Sequence, residues 1–373
     1  MVQSKQLDFS GQKIFCGIDV HKKSWKVCIR SEHMELKTFS QNPSAGELIK
    51  HLRKNYPLAD YKVVYEAGFC GFNPQREFSE EKVDCIIVHP ADVPTTDKEK
   101  KRKSDTIDCR KLSTTLSDGK LTGIFVPGIE QQDDRSVIRT YQQFVKDQTR
   151  CKNRIKGWLN FQGISIPNDD EYKYWSNNFI KWLKEFSLTP SARISLDLLI
   201  HSYEQTRNMV LAATKQVRAL SKQERYNEKI DLIRSIPGIG PIGALLFTTE
   251  IGDITRFKTF DQLCDYIGLV PMVSGSGEHE TVLGLTHRGH HKLRETLIEA
   301  SWVAIRLDPA MTLAFNQITK TMKKNKAIIK IARKLLNSGE QRISILVPLF
   351  AGSHSAIACP ADCGEPLFHV MNS

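Results

Sequence analysis

Lys13-Ile14-Phe15-Cys16-Gly17-Ile18-Asp19-Val20 is the stretch whose reading decides the fold. Apolar residues and a glycine lead straight to one carboxylate, Asp19. A run this short and apolar, with β-branched and aromatic members, reads as a buried strand. An ionised carboxylate at its end is costly unless a metal or another cation pairs with it. By itself Asp19 could equally cap the strand or open a turn, so its neighbours must decide.

Outward from this strand, Ser24 to Arg30 and Glu35 to Phe39 are strand-like and complete a three-strand meander. Ala45 to Lys54 has the spacing of a short amphipathic helix. Tyr61-Lys62-Val63-Val64-Tyr65-Glu66 is a further strand ending in a carboxylate, broken by Ala67, Gly68, Gly71 and Pro74. Val83 to Val88 follows, closed by Pro90. This order predicts an α/β domain with parallel pairing, in which ligands collect at the carboxyl ends of the strands. Asp19 and Glu66 can meet there. Next comes a basic run with Lys100, Lys101, Arg102 and Lys103, then Ser104-Asp105-Thr106-Ile107-Asp108 opening a helix through Leu116. Ser104 reads as its N-cap, and Asp105 and Asp108, one turn apart, share a face. Acidic residues in a first turn also simply suit the helix dipole. Lysines beside clustered carboxylates make sense together if the acids hold divalent metal and the lysines meet phosphate.

Four carboxylates offer oxygen-only ligands, which suit a pair of Mg²⁺ ions, with Mn²⁺ as the alternative. Two such ions stabilise the attacking and the leaving oxygen of a phosphoryl transfer. Gly17-Ile18-Asp19-Val20-His21-Lys22, Tyr65-Glu66-Ala67-Gly68 and Asp105-Thr106-Ile107-Asp108 resemble the Asp-Glu-Asp-Asp motifs of one insertion-sequence transposase family. The resemblance implies an RNase H-like (RuvC-like) N-terminal domain, metal ligation by Asp19, Glu66, Asp105 and Asp108, and guidance by a structured bridge RNA.

The composition agrees with a nucleic-acid partner. Lys and Arg number 53 against 42 Asp and Glu, a net charge of +11 over 373 residues, which favours a polyanion. No apolar run approaches a membrane span and the N-terminus lacks a signal-peptide core, so the expectation is a cytoplasmic protein. Nine scattered cysteines read as reduced thiols; Cys359 and Cys363 have no His or Cys pair nearby to complete a zinc site.

In the middle, Val137, Tyr141, Phe144, Gln148, Cys151, Ile155 and Trp158 step by four and three, a heptad seam. Leu196, Leu199, Tyr203, Thr206, Val210, Ala213, Val217 and Leu220 repeat it. Two such helices can pack on each other or on a second protomer. The resemblance implies a coiled-coil arm that assembles protomers into a dimer or tetramer.

Farther on, Ser235-Ile236-Pro237-Gly238-Ile239-Gly240-Pro241 lies between helix-like flanks and reads as a helix-hairpin-helix, whose Gly238 and Gly240 let backbone N–H groups approach a DNA phosphate. A tight turn between packed helices is the alternative. Gly268-Leu269-Val270-Pro271, then Ser274-Gly275-Ser276-Gly277, then Gly284-Leu285-Thr286-His287-Arg288-Gly289 resemble the family's second signature, and Lys292 to Arg306 continues as a basic helix carrying, with Arg288, contacts to nucleic acid. The resemblance assigns the nucleophile to Ser276, with Ser274 as the fallback, and implies a phosphoserine link to DNA formed beside the carboxylates. His287 stands where the family has a lysine, Gly275 where it has a further serine, and Glu278 and Glu280 where it is basic. Lys320 to Arg333 is a further lysine-rich helix face.

The domains expected are 1–125, RuvC-like and catalytic; 126–228, the helical coiled-coil spacer; 229–345, a mainly α C-terminal transposase domain with the helix-hairpin-helix; and 346–373, a tail matching nothing. The function expected is an RNA-guided DNA transposase acting on donor ends and target. The rivals are a site-specific DNA invertase on the same scaffold, a RuvC-like nuclease without serine chemistry, and a non-catalytic nucleic-acid-binding protein.

Overall fold

The computed structural model describes residues 8–94, 104–167, 175–276, 279–286 and 288–350, with the backbone alone at 273–276, 279–283 and 338–350. Lys100, Lys101, Arg102, Lys103, Gly277, Glu278, His287 and the tail from 351 lie outside the described residues, as do the side chains of Ser274 and Ser276. The chain divides into two compact units, Met1–Val126 and Pro127–Ser373.

In the first unit the strands β1 (Lys13–Val20), β2 (Trp25–Arg30), β3 (Glu35–Gln41), β4 (Asp60–Glu66) and β5 (Asp84–Val88) form one sheet in the order β3-β2-β1-β4-β5. The meander is antiparallel, while β4 and β5 add in parallel beside β1. The parallel additions need crossovers, supplied by α1 (Ala45–Asn55) and α2 (Asn73–Glu80). Strand alternation assigns the faces. Ile14, Cys16, Ile18, Val63 and Tyr65 pack under Leu48, Ile49, Leu52 and Phe78 of α1 and α2. The opposite face, with Gly17 and Val64, is covered by α3 (Asp105–Ser117) through Leu112. Ser104 caps α3, its hydroxyl accepting from the Ile107 N–H at 3.4 Å, where the sequence places the N-cap.

In the second unit the long helices α4 (Ile129–Phe161) and α6 (Pro190–Leu220) pack antiparallel within one chain. Cys151, Ile155 and Leu159 meet Leu196, Ile200 and Tyr203, closed by Phe179, Ile180 and Leu183 of α5 (Asn177–Glu185). Toward the other end Ile138 shares a core with Val217 and Leu220. The second heptad seam is buried or half-buried throughout, but the first departs at its start: Val137 is exposed and Ile138 buried in its place. That end of α4 packs against the C-terminal helices as well as α6, which turns a different face inward.

Those helices are α7 (Glu224–Arg234), α8 (Pro241–Ile251), α9 (Phe260–Ile267), α10 (His291–Leu307), α11 (Pro309–Thr319) and α12 (Lys324–Phe350), with a two-stranded hairpin, β6 (Pro271–Ser276) and β7 (His279–Leu285), between α9 and α10. Ile328 and Ile331 of α12 are buried in this core, so its lysines occupy the other face. Seven cysteines are free thiols among the described residues. Among those residues no helix is long and apolar enough to cross a membrane.

Candidate active site

Asp19 is the penultimate residue of β1 and Glu66 the last of β4. The parallel register pairs Gly17 with Val64 and Ile18 with Tyr65, so the next step sets Asp19 beside Glu66. Adjacent strands lie about 4.8 Å apart. By alternation both carboxylates stand on the face that α3 covers, and α3 begins at that edge with Asp105 and Asp108 in its first turn.

Gly17 makes this convergence possible. A Cβ there would lie 2.2 Å from the Cys109 carbonyl oxygen and 2.5 Å from the Ser113 nitrogen, so the α3 backbone rests directly on β1. The helix is pinned sideways too. Arg110 donates to Glu35 Oε1 at 2.9 and 3.1 Å on β3, and Ser113 Oγ donates to Cys28 Sγ at 3.3 Å on β2.

The result is a small polar cluster. Asp19, His21 and Asp105 each offer one ligand atom, all within 4.8 Å of one another. His21 Nε2 lies 3.2 Å from Asp19 Oδ2 and 3.5 Å from Asp105 Oδ2. The Asp19 carboxyl is held above the usual carboxylate range, chiefly by burial; His21 opposes this, while the charges of Asp105 and Asp108 add to it. An acid that burial and like charges disfavour as an anion is relieved by a divalent cation. Two carboxylate oxygens and an imidazole nitrogen at this spacing fit such an ion. Of the four acids expected, Asp19 and Asp105 belong to the trio, Asp108 lies a turn along α3 and acts electrostatically on Asp19, and Glu66 occupies the neighbouring strand position. His21 is the residue sequence reasoning passed over. Its signal was its place two residues beyond Asp19, on the turn leaving the strand.

The segment expected to carry the nucleophile is a hairpin with a tight neck. Gly268 (φ +83°) and Gly289 (φ +101°), the first and last glycines of the signature, press backbone to backbone; a Cβ on Gly289 would stand 2.5 Å from the Gly268 nitrogen. Arg294 of α10 closes the neck, donating from Nη1 to the carbonyls of Gly268 (3.1 Å) and Thr286 (2.7 Å). Across the hairpin Ser274 pairs with Thr281 and Ser276 with His279, so Ser276 ends β6 at the hairpin tip.

The remaining expected contacts divide. Gly238 (φ +88°) joins α7 to α8, and its Cβ direction is filled by α10, 2.7 Å from the Ala300 carbonyl oxygen. This glycine therefore serves packing as well as any ligand. Gly240 caps α8, is exposed and has nothing within 4 Å of a built Cβ. Arg288 is exposed at the neck, and Lys292 Nζ pairs with Glu295 at 3.1 Å.

Sequence comparison bears on this arrangement. Residues 16–162 match a transposase model of the Asp-Glu-Asp-Asp type named for IS110, and residues 230–316 match the Transposase IS116/IS110/IS902 family. The transposase for insertion sequence element IS1111A of Coxiella burnetii is 29% identical over 56% of this chain and 56% of its own length. The chain thus spans little more than half of that relative. The transposase for insertion sequence element IS1533 of Leptospira borgpetersenii is 25% identical over 65% of this chain and 70% of its own. The protein y4qE of Sinorhizobium fredii is 25% identical over 78% and 72%. The two family matches together cover more than half of the sequence, the first spanning Asp19, Glu66, Asp105 and Asp108 and the second the hairpin: the chain belongs to the IS110/IS116/IS902 family of DNA transposases.

Proposed function

We propose that this chain cuts and rejoins DNA by phosphoryl transfer to Ser276, supported by a divalent metal held at Asp19, Glu66, Asp105 and Asp108, with His21 at the same cluster. The single observation that carries the reading is the seating of α3 directly on β1 at Gly17, with Asp19, His21 and Asp105 offering ligand atoms within 4.8 Å of one another at the strand end. Mg²⁺ bound there supplies charge neutralisation at the scissile phosphate.

The chain's own residues do the rest. Ser276 Oγ forms a bond to phosphorus as the bond to the leaving deoxyribose oxygen breaks; the serine proton passes to a base and the leaving oxygen takes one up. Attack of a strand hydroxyl on the phosphoserine reverses these bonds and rejoins DNA. The hairpin neck formed by Gly268, Gly289 and Arg294 fixes the base of the strand that ends at Ser276. Gly240, Arg288, Lys292 and the basic run Lys100 to Lys103 are proposed phosphate contacts, and Gly238 shapes the turn that presents Gly240 as a helix-hairpin-helix. A structured guide RNA and a dimer or tetramer complete the proposal, supported by the motif resemblance alone; the net charge of +11 suits DNA equally.

The test is a trap for a covalent adduct. Full-length protein, Mg²⁺, its flanking non-coding RNA and donor-end DNA are run on a denaturing gel beside Ser276→Ala and Asp19→Ala. A shifted DNA band lost in both variants is expected. Cleavage that persists in Ser276→Ala without an adduct transfers the reading to a water-using metal nuclease, or to Ser274 if an adduct persists.

A further inference from the structure

Between Glu66 and α2 the chain makes a turn that holds an aromatic ring in solvent. The Gly71 N–H donates to the Gly68 carbonyl at 3.1 Å, closing a β-turn with Phe69 and Cys70 at its centre. The turn is anchored from both sides. Tyr65 Oη donates to the Gly71 carbonyl at 3.0 Å, and the Ala67 N–H donates to the Val88 carbonyl at 2.8 Å. Phe69 at its tip is 61% exposed, the one exposed phenylalanine among the described residues of the first unit. An anchored turn that holds a ring in solvent leaves a face of that ring available for stacking. Lys22 Nζ stands 6.0 Å from the ring centroid. Lys22 lies three residues beyond Asp19, and Phe69 three beyond Glu66, so the two loops leaving the acid-bearing strand ends meet at this pair.

We propose that Phe69 and Lys22 form a seat for one unpaired DNA base flanking the phosphate bound at the carboxylates; this rests on the phosphoryl-transfer reading above. A ring face takes any base by stacking, and the ammonium adds contact to the backbone phosphate beside it. The seat therefore carries no base specificity. It fixes the strand's direction across the acids, and it requires the strand to be unpaired where it is cut.

The test uses the full-length chain and a fluorescein-labelled oligothymidine of about 12 nucleotides in Mg²⁺, read by anisotropy. Phe69→Ala and Phe69→Leu are each expected to weaken binding roughly 5- to 100-fold, and Phe69→Trp to bind at least as tightly as the parent. Lys22→Ala should lower the slope of log affinity against log salt by about 1. With 5-iodouracil in the oligonucleotide, ultraviolet cross-linking should map to the peptide containing Phe69. Parent-like binding by Phe69→Leu, or cross-links confined to other peptides, overturns the proposal. Stronger Phe69 dependence with oligouridine than with oligothymidine overturns its assignment to DNA. The parent reading fails separately: binding that neither Mg²⁺ nor Asp19→Asn alters would sink the carboxylate site while leaving the Phe69 result standing.

Discussion

Gly17→Ala tests whether the site is built by close approach of a helix to a strand. The added Cβ would lie 2.2 Å from the Cys109 carbonyl oxygen, 2.5 Å from the Ser113 nitrogen and 2.9 Å from Leu112 Cβ. Ordinary contact needs about 3.4 Å or more, so α3 must withdraw by about 1 Å. It cannot simply slide, because Arg110 and Ser113 tie it to β3 and β2. The withdrawal carries Asp105 and Asp108 away from Asp19 and Glu66. Overpacking of this kind costs about 1–3 kcal/mol, and a misplacement of about 1 Å at a reacting centre costs roughly a hundredfold in rate. The assay pairs Mg²⁺-dependent strand cleavage with a circular-dichroism melt. Gly157→Ala on α4, where nothing lies within 4 Å, is the control and should be neutral or mildly stabilising. Cleavage within twofold of the parent and an unchanged melt for Gly17→Ala would refute the reasoning.

Three further outcomes follow from the same geometry. Asp19→Asn removes a carboxylate that burial and two like charges disfavour, so the metal-free protein should melt about 1–4 °C higher while losing stabilisation by Mg²⁺; a lower melt would show the repulsion to be negligible. Burial pushes the Glu250 carboxyl up, but hydrogen bonds from His290 and Arg139 outweigh it and hold the group at about 2. A depressed carboxylate contributes stability above its unfolded value of 4.5 that is lost as pH falls through about 2, here about 3 kcal/mol for a side chain 2% exposed. Glu250→Gln should therefore lower the melt at neutral pH and flatten its decline in acid, and a decline parallel to the parent's would count against this. Arg294→Ala opens the hairpin neck, so amides of β6 and β7 should exchange at least tenfold faster with α4 and α6 unaffected; uniform exchange would mean that the glycine contact alone holds the neck.

What could be read from the sequence follows the range of the interactions involved. The strands, the Ser104 cap and the parallel pairing of β1 with β4 depend on local patterning and on the crossover rule, and those elements lie where the residues indicate. His21 and Gly17 depend on a helix more than eighty residues away. Nothing in Gly17's own neighbourhood distinguishes a glycine that admits Cys109 and Ser113 from one that merely loosens a strand. The heptad seam was legible along its length except at Val137, because periodicity reports that a helix has a buried face but not which second partner rotates that face at one end.

The hairpin shows the same limit from the other side. Gly, Ser and Pro are poor strand formers, so Pro271 to Ser276 reads locally as a loop. It pairs with His279 to Leu285 because its ends are already joined. Gly268 and Gly289 can meet only with φ positive and no Cβ, and Arg294 then bridges the two carbonyls beside them. Once the neck is closed, pairing the intervening residues costs little further loop entropy. The glycines at the two ends of the segment thus hold the hairpin closed at its base. Inserting one residue between Gly268 and Met272 would shift the β6 register and move the Ser276 backbone off its pairing with His279, abolishing the adduct while leaving the neck intact.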